Sequence, residues 1–109
     1  MVKRGSIIKI NLDPNVGHEQ AGYRPAVVIS NEIFNSKTRL AIVCPITNTN
    51  NRFPLHVPLD DRTKTAGVVL CEHVRALDIS ERGYKVIEEI PEDILSRITE
   101  IVNASIVDE

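Results

Sequence analysis

Residues 24–47 read RPAVVISNEIFNSKTRLAIVCPIT. Within them, Ala26-Val27-Val28-Ile29 and Leu40-Ala41-Ile42-Val43-Cys44 are apolar, mostly β-branched runs of the length that central strands need. They are predicted to pair as neighbours, so a sheet organises the chain. Upstream, Ile8, Ile10 and Leu12 alternate with Lys9 and Asn11, a period of two that predicts a half-buried strand ending at Asp13-Pro14. The run NVGHEQAGY, Asn15 to Tyr23, has two glycines and almost no periodicity, as an exposed connection would, and loops of this length often carry function. Downstream, His56-Val57-Pro58-Leu59 contains a proline and fits an edge strand, with Asp60-Asp61 opening a polar turn. Val68-Val69-Leu70-Cys71 resumes the core after Gly67, and a last piece runs from Val74 to Leu77. Five or six short strands are the number expected of a small, partly open barrel.

The C-terminal segment changes period. Ile94, Leu95, Ile98, Ile101, Val102, Ser105 and Ile106 fall on one face of an α-helix. Pro91, Glu92 and Asp93 make a favourable first turn, because proline gives up no needed N–H there and acids suit the positive helix end. The apolar face is expected to cover the sheet. The fold class read from these patterns is mainly β with a C-terminal helix, an α+β arrangement.

At 109 residues, 42% hydrophobic and 26% charged, the chain suits one domain, 1–109, with one core. A domain this small has modest stability, which association into a homo-oligomer would raise. The N-terminus shows no signal-peptide pattern and no run spans a bilayer, so a cytoplasmic protein without membrane contact is expected. Cys44 and Cys71 lie in apolar runs without CxxC spacing and read as buried, reduced thiols. The net charge is −2, yet residues 88–109 hold seven acids against Arg97 alone, which leaves residues 1–87 with twelve Lys/Arg and eight Asp/Glu. A mildly basic body with an acidic end is compatible with a basic groove on one side.

Four stretches carry a resemblance to the MazF/PemK family: DPNVGHEQAGYRPAVVIS (13–30), VCPIT (43–47), FPLHV (53–57) and VLCEHVRALD (69–78). Their order and spacing are similar to the family's over about two-thirds of the chain. The resemblance implies an SH3-like barrel of five to six antiparallel strands with a C-terminal helix, a symmetric homodimer, and metal-independent cutting of single-stranded RNA. It also implies a MazE-like antitoxin whose acidic, disordered tail folds into the RNA groove. CcdB-type toxins share the architecture, bind gyrase and cut nothing, so a non-enzymatic gyrase binder is the alternative and the site must decide.

Arg24 matches the family's catalytic arginine and Thr47 its catalytic threonine. A planar guanidinium can bond two phosphate oxygens at once, and a hydroxyl can donate to an oxygen gaining charge. Without the motif, Arg24 would read as the partner of Glu19 or Asp13, and Thr47 as a strand-end residue bonded to backbone. RNA supplies its own nucleophile, the 2′-OH, so the expected products are a 2′,3′-cyclic phosphate and a 5′-OH, with no cofactor. A guanidinium is a poor base at neutral pH, which leaves His18, His56 or Glu19 to move the proton. His18, Glu19 and Gln20 are candidate base-reading groups, Phe53 and His56 stacking groups, and Arg52 a phosphate contact. Glu72-His73 stands where relatives carry an acid and then glutamine, so His73 alters the donors offered to a base. Arg75 and Asp78 are expected to pair with each other or to brace the dimer. A zinc site from His18, His56, His73, Cys44 and Cys71 would need a spacing that no zinc motif has, and no GxGxxG, GxxxxGK[ST], HExxH or GxSxG pattern occurs.

Overall fold

The computed structural model describes residues 2–13, 22–48 and 54–107. Seven strands form one antiparallel sheet: β1 (Ser6–Asn11), β2 (Tyr23–Val28), β3 (Leu40–Thr47), β4 (His56–Pro58), β5 (Val68–Leu70), β6 (Arg75–Asp78) and β7 (Tyr84–Glu89). Three helices accompany them, α1 (Glu32–Thr38), α2 (Ile79–Arg82) and α3 (Glu92–Ala104). The strand order is β4-β5-β3-β2-β1-β7, with β6 also on β3. The apolar runs at 26–29 and 40–44 pair as neighbours, Val27 opposite Cys44 and Val28 opposite Val43. The architecture is mainly β with a C-terminal helix, as expected, but the described residues form seven strands rather than five or six. Among the described residues the pairings do not close into a barrel, because β4 and β7 end the order.

Strand β1 buries apolar side chains on both faces, Ile7 on one and Ile8 and Ile10 on the other, where the alternation of Ile8 and Ile10 showed one face only. Ile7 belongs to a core with Val27, Cys44, Ile46 and Val69, covered by Ile94, Leu95, Ile98 and Val102 of α3. Ile8 and Ile10 belong to a second core with Ala26, Val28, Val43, Leu77 and Ile79. Ile98 is completely buried, and a side chain of this kind contributes about 1.5–3 kcal/mol by leaving water. The α3 face stops short of the sequence reading: the helix ends at Ala104, Ser105 caps it, and Ile106 is exposed. Pro91 occupies the cap position just before the first turn.

Helices α1 and α2 and strand β7 were not anticipated from the sequence. Helix α1 begins where Asn31 accepts a hydrogen bond from Phe34 N and ends at Arg39, which adopts a left-handed φ of 61°. It is too short for its apolar spacing to show. Strand β7 is half exposed and largely charged, and it closes the β1 edge of the sheet.

One edge of β3 serves two partners in turn. Ile46 pairs with Val69, whereas Val43, three residues earlier, pairs with Arg75, six residues later. The three extra residues are Cys71–His73, a 3-10 turn that pushes Glu72 and His73 off the ladder.

Candidate active site

Side chains alternate across a pleated strand, and directly paired residues share a face. Thr47 pairs with Val68, Leu70 follows two residues on, and Leu70 pairs with His56. Thr47 and His56 therefore belong to one face of the sheet. Ala26 pairs with Pro45, which is two residues before Thr47, and Arg24 is two residues before Ala26. Continuing that register sets Arg24 level with Thr47 on the same face. Three residues far apart in sequence are thus set on one face of the sheet, on strands β2, β3 and β4.

Thr47 and His56 are buried, and Arg24 is exposed at the start of β2. Glu72, displaced by the 3-10 turn, places Oε2 2.7 Å from His56 Nε2. A carboxylate only accepts, so His56 Nε2 carries a proton and the ring is held in one orientation. His73 lies further off, with Nε2 4.0 Å from the same oxygen, and its buried Nδ1 has no hydrogen-bond partner among the described residues. Arg75 donates to the Leu12 carbonyl, while Asp78 caps α2 and accepts from Ser80 and Glu81. The expected Arg75–Asp78 pair is thus replaced by two backbone roles. His18, Glu19, Gln20, Arg52 and Phe53 lie outside the described residues. The base of the 14–21 connection is nonetheless fixed, because Leu12 N donates to the Gly22 carbonyl and Gly22 N to Asp13 Oδ1.

Gly67 was not singled out from sequence, yet it presses on this site. Its φ is +123°, and a Cβ there would overlap the Thr47 carbonyl oxygen and come within 2.8 Å of the carbonyl carbon. Only the missing side chain lets the segment before β5 pack against the end of β3. Gly67→Ala is expected to lower stability by a few kcal/mol, seen as an earlier thermal transition, because both strain and overlap must be relieved. An unchanged melting temperature would show that the end of β3 yields easily.

A groove of about 440 Å³ borders the site, lined by Lys9, Arg24, Asn48, Lys64 and Thr65. Ile46 and Ile87 add apolar wall. Lys64 and Thr65 are held by Glu88, whose carboxylate accepts from Lys64 N at 3.0 Å, Thr65 N at 2.8 Å and Thr65 Oγ1 at 2.8 Å. Partial burial opposes ionisation of Glu88, but these donors hold its carboxyl below the usual range. The thiols contribute no nucleophile: burial pushes Cys71 up to about 11 and Cys44 higher still. Among the described residues no three His, Cys, Asp or Glu side chains converge as metal ligands.

The profile of the family described as "PemK-like, MazF-like toxin of type II toxin-antitoxin system" matches residues 3–106. The chain belongs to this PemK/MazF-like toxin family. It is 39% identical over 101 residues to the endoribonuclease PemK of Escherichia coli, covering 89% of this chain and 76% of PemK. Its fold superposes on MazF of Deinococcus radiodurans with a TM-score of 0.91 at 34% identity, covering 95% of this chain and 94% of that one. A MazE–MazF complex from the same organism matches with a TM-score of 0.84 at 28% identity, over 99% and 97% of the two chains. No helix among the described residues is long and apolar enough to cross a membrane.

Proposed function

We propose that this PemK/MazF-like chain is an endoribonuclease toxin that cuts single-stranded RNA at short sequence motifs without a metal, acting as a homodimer of a single domain. The observation that carries the reading is the common face of Arg24, Thr47 and His56, with His56 oriented by Glu72 at 2.7 Å. The ribose 2′-OH attacks the adjacent phosphorus and gives up its proton, the P–O5′ bond breaks, O5′ takes a proton from water, and the products are a 2′,3′-cyclic phosphate and a 5′-OH. Arg24 stabilises charge on the phosphorane with two donors, and the Thr47 hydroxyl donates to a phosphate oxygen. With its ring held by Glu72 on the face it shares with Thr47, His56 is the group we assign to take the 2′-OH proton. Of the three candidates His18, His56 and Glu19, the reading takes His56, and it gives Glu72 an orienting role. A MazE-like antitoxin would neutralise the toxin by covering the same face with an acidic tail, and the relative solved with MazE supports such a partner.

The reading is tested by incubating the protein with a defined pool of single-stranded RNA in excess EDTA and mapping the new 5′-OH ends. Cleavage at a short motif is expected, and the same motif should resist when base-paired, because a duplex locks the 2′-OH and the base edges. RNA left whole would favour the non-enzymatic, gyrase-binding alternative, and activity that returns only with added metal would refute the metal-free step.

A further inference from the structure

Two arginines converge on three successive backbone carbonyls at the end of β1. Arg82 Nη1 donates to the carbonyl of Asn11 at 2.7 Å and to that of Asp13, and Arg75 Nη1 donates to that of Leu12 at 3.2 Å. Neither arginine forms an ion pair among the described residues, so both guanidinium groups are directed to the main chain. Hydrogen bonds from a charged donor are roughly twice as strong as those between neutral groups, which makes this a firm grip on a short stretch of backbone. Arg82 is itself well placed: it ends α2, whose first turn is capped by the Asp78 carboxylate and whose Ile79 is buried in the second core. The clasped residues are the edge against which the start of β2 lies. Leu12 N donates to the Gly22 carbonyl, Gly22 N donates to Asp13 Oδ1, Asn11 opposes Tyr23, and Ile10 opposes Arg24. Arg24 is exposed, so burial does little to place it, and its backbone takes its position from this hairpin stem.

We infer that Arg82, seconded by Arg75, is a positioning residue for the cut: it fixes the carbonyls of residues 11–13 and thereby the place from which Arg24 meets the scissile phosphate. In this role the Arg82 side chain contacts the main chain and no RNA. A catalytic group displaced by about 1 Å loses on the order of a hundredfold in rate, so a stem released at these carbonyls is felt at Arg24 while the two cores stay packed. Side chains that act on a substrate need such a second layer of bonds, because an exposed strand start is otherwise free to fray. The inference rests on the endoribonuclease reading with Arg24 at the phosphate, and it adds the support that holds Arg24 there.

The test measures single-turnover cleavage of one oligonucleotide by the full-length parent, Arg82→Ala, Arg82→Lys, Arg24→Ala and the double variant. Affinity is read separately, by fluorescence anisotropy across a salt series, on an uncleavable RNA with 2′-deoxyribose at the cut position. Arg82→Ala should lower the cleavage rate by about tenfold to a hundredfold. Its RNA affinity and salt slope should stay near the parent's, because the lost bonds run to carbonyls and not to phosphates. Arg82→Lys should recover most of the rate, since an ammonium can donate to two carbonyls without a planar fork. In the Arg24→Ala background, Arg82→Ala should cost little further, as befits a residue that acts through Arg24. The full loss repeated in that background, or an unchanged rate in Arg82→Ala beside a parent that cuts, would overturn the inference alone. A salt slope lowered by about 0.7 would make Arg82 a direct phosphate contact and overturn it as well. Should Arg82→Ala fold poorly, Arg82→Gln, which keeps an amide donor for one carbonyl, takes its place in every arm with a smaller loss expected. A parent that leaves RNA whole would overturn the endoribonuclease reading and this inference together.

Discussion

Arg24→Ala is expected to lower turnover of a saturating oligonucleotide by roughly a hundredfold or more, the loss typical of one charge-stabilising donor removed from a transition state. Arg24→Lys separates charge from geometry. Lysine keeps the positive charge but presents a single ammonium in place of a planar fork, so it should recover little if two donors must meet two phosphate oxygens. Near-normal turnover in Arg24→Lys would show that charge alone suffices. Both variants should melt close to the parent, because Arg24 is an exposed residue at a strand start. Normal cutting by Arg24→Ala would remove the arginine from the site altogether.

His56→Ala is expected to cost on the order of 10²–10⁴ in turnover, the range for a positioned general base. The informative comparison is with Glu72→Gln. Glutamine keeps an acceptor near His56 Nε2 but also offers an N–H, so some molecules will hold the ring in the other tautomer with Nδ1 protonated. Turnover in Glu72→Gln should therefore fall less than in His56→Ala, and the double variant should be no worse than His56→Ala. Should Glu72→Gln instead match or exceed the His56→Ala loss, the carboxylate would be the proton carrier and His56 its support.

The strands at 26–29 and 40–44 were legible because apolar β-branched runs leave few other options, and α3 because its spacing repeats every 3.6 residues. Helix α1 escaped because seven residues give too few turns to show a stripe, and β7 because a half-exposed edge strand has no strong alternation. Motif resemblance pointed to Arg24 and Thr47, but sequence could not say that His56 shares their face. That depends on the β3–β5 and β4–β5 registers, which are set by non-local pairing and carry no local signature. The Glu72–His56 bond was less legible still. It exists because three residues too many lie between the β5 and β6 pairings, and the surplus lifts Glu72 out of the ladder. Gly67 had a faint signal as a lone glycine before an apolar run, but its contact with Thr47 appears only in three dimensions.

The two buried cysteines have a consequence for control. Thiol oxidation and disulfide exchange proceed through the thiolate, and a group raised to about 11 is ionised in only about one molecule in ten thousand at pH 7. Cys44, held higher and with no solvent contact, is slower again. Peroxide or a shift in the glutathione pool therefore has no ready handle on either sulfur, and the core face they occupy stays chemically silent under oxidative stress. Burial thus keeps both thiols of this fold out of reach of oxidants.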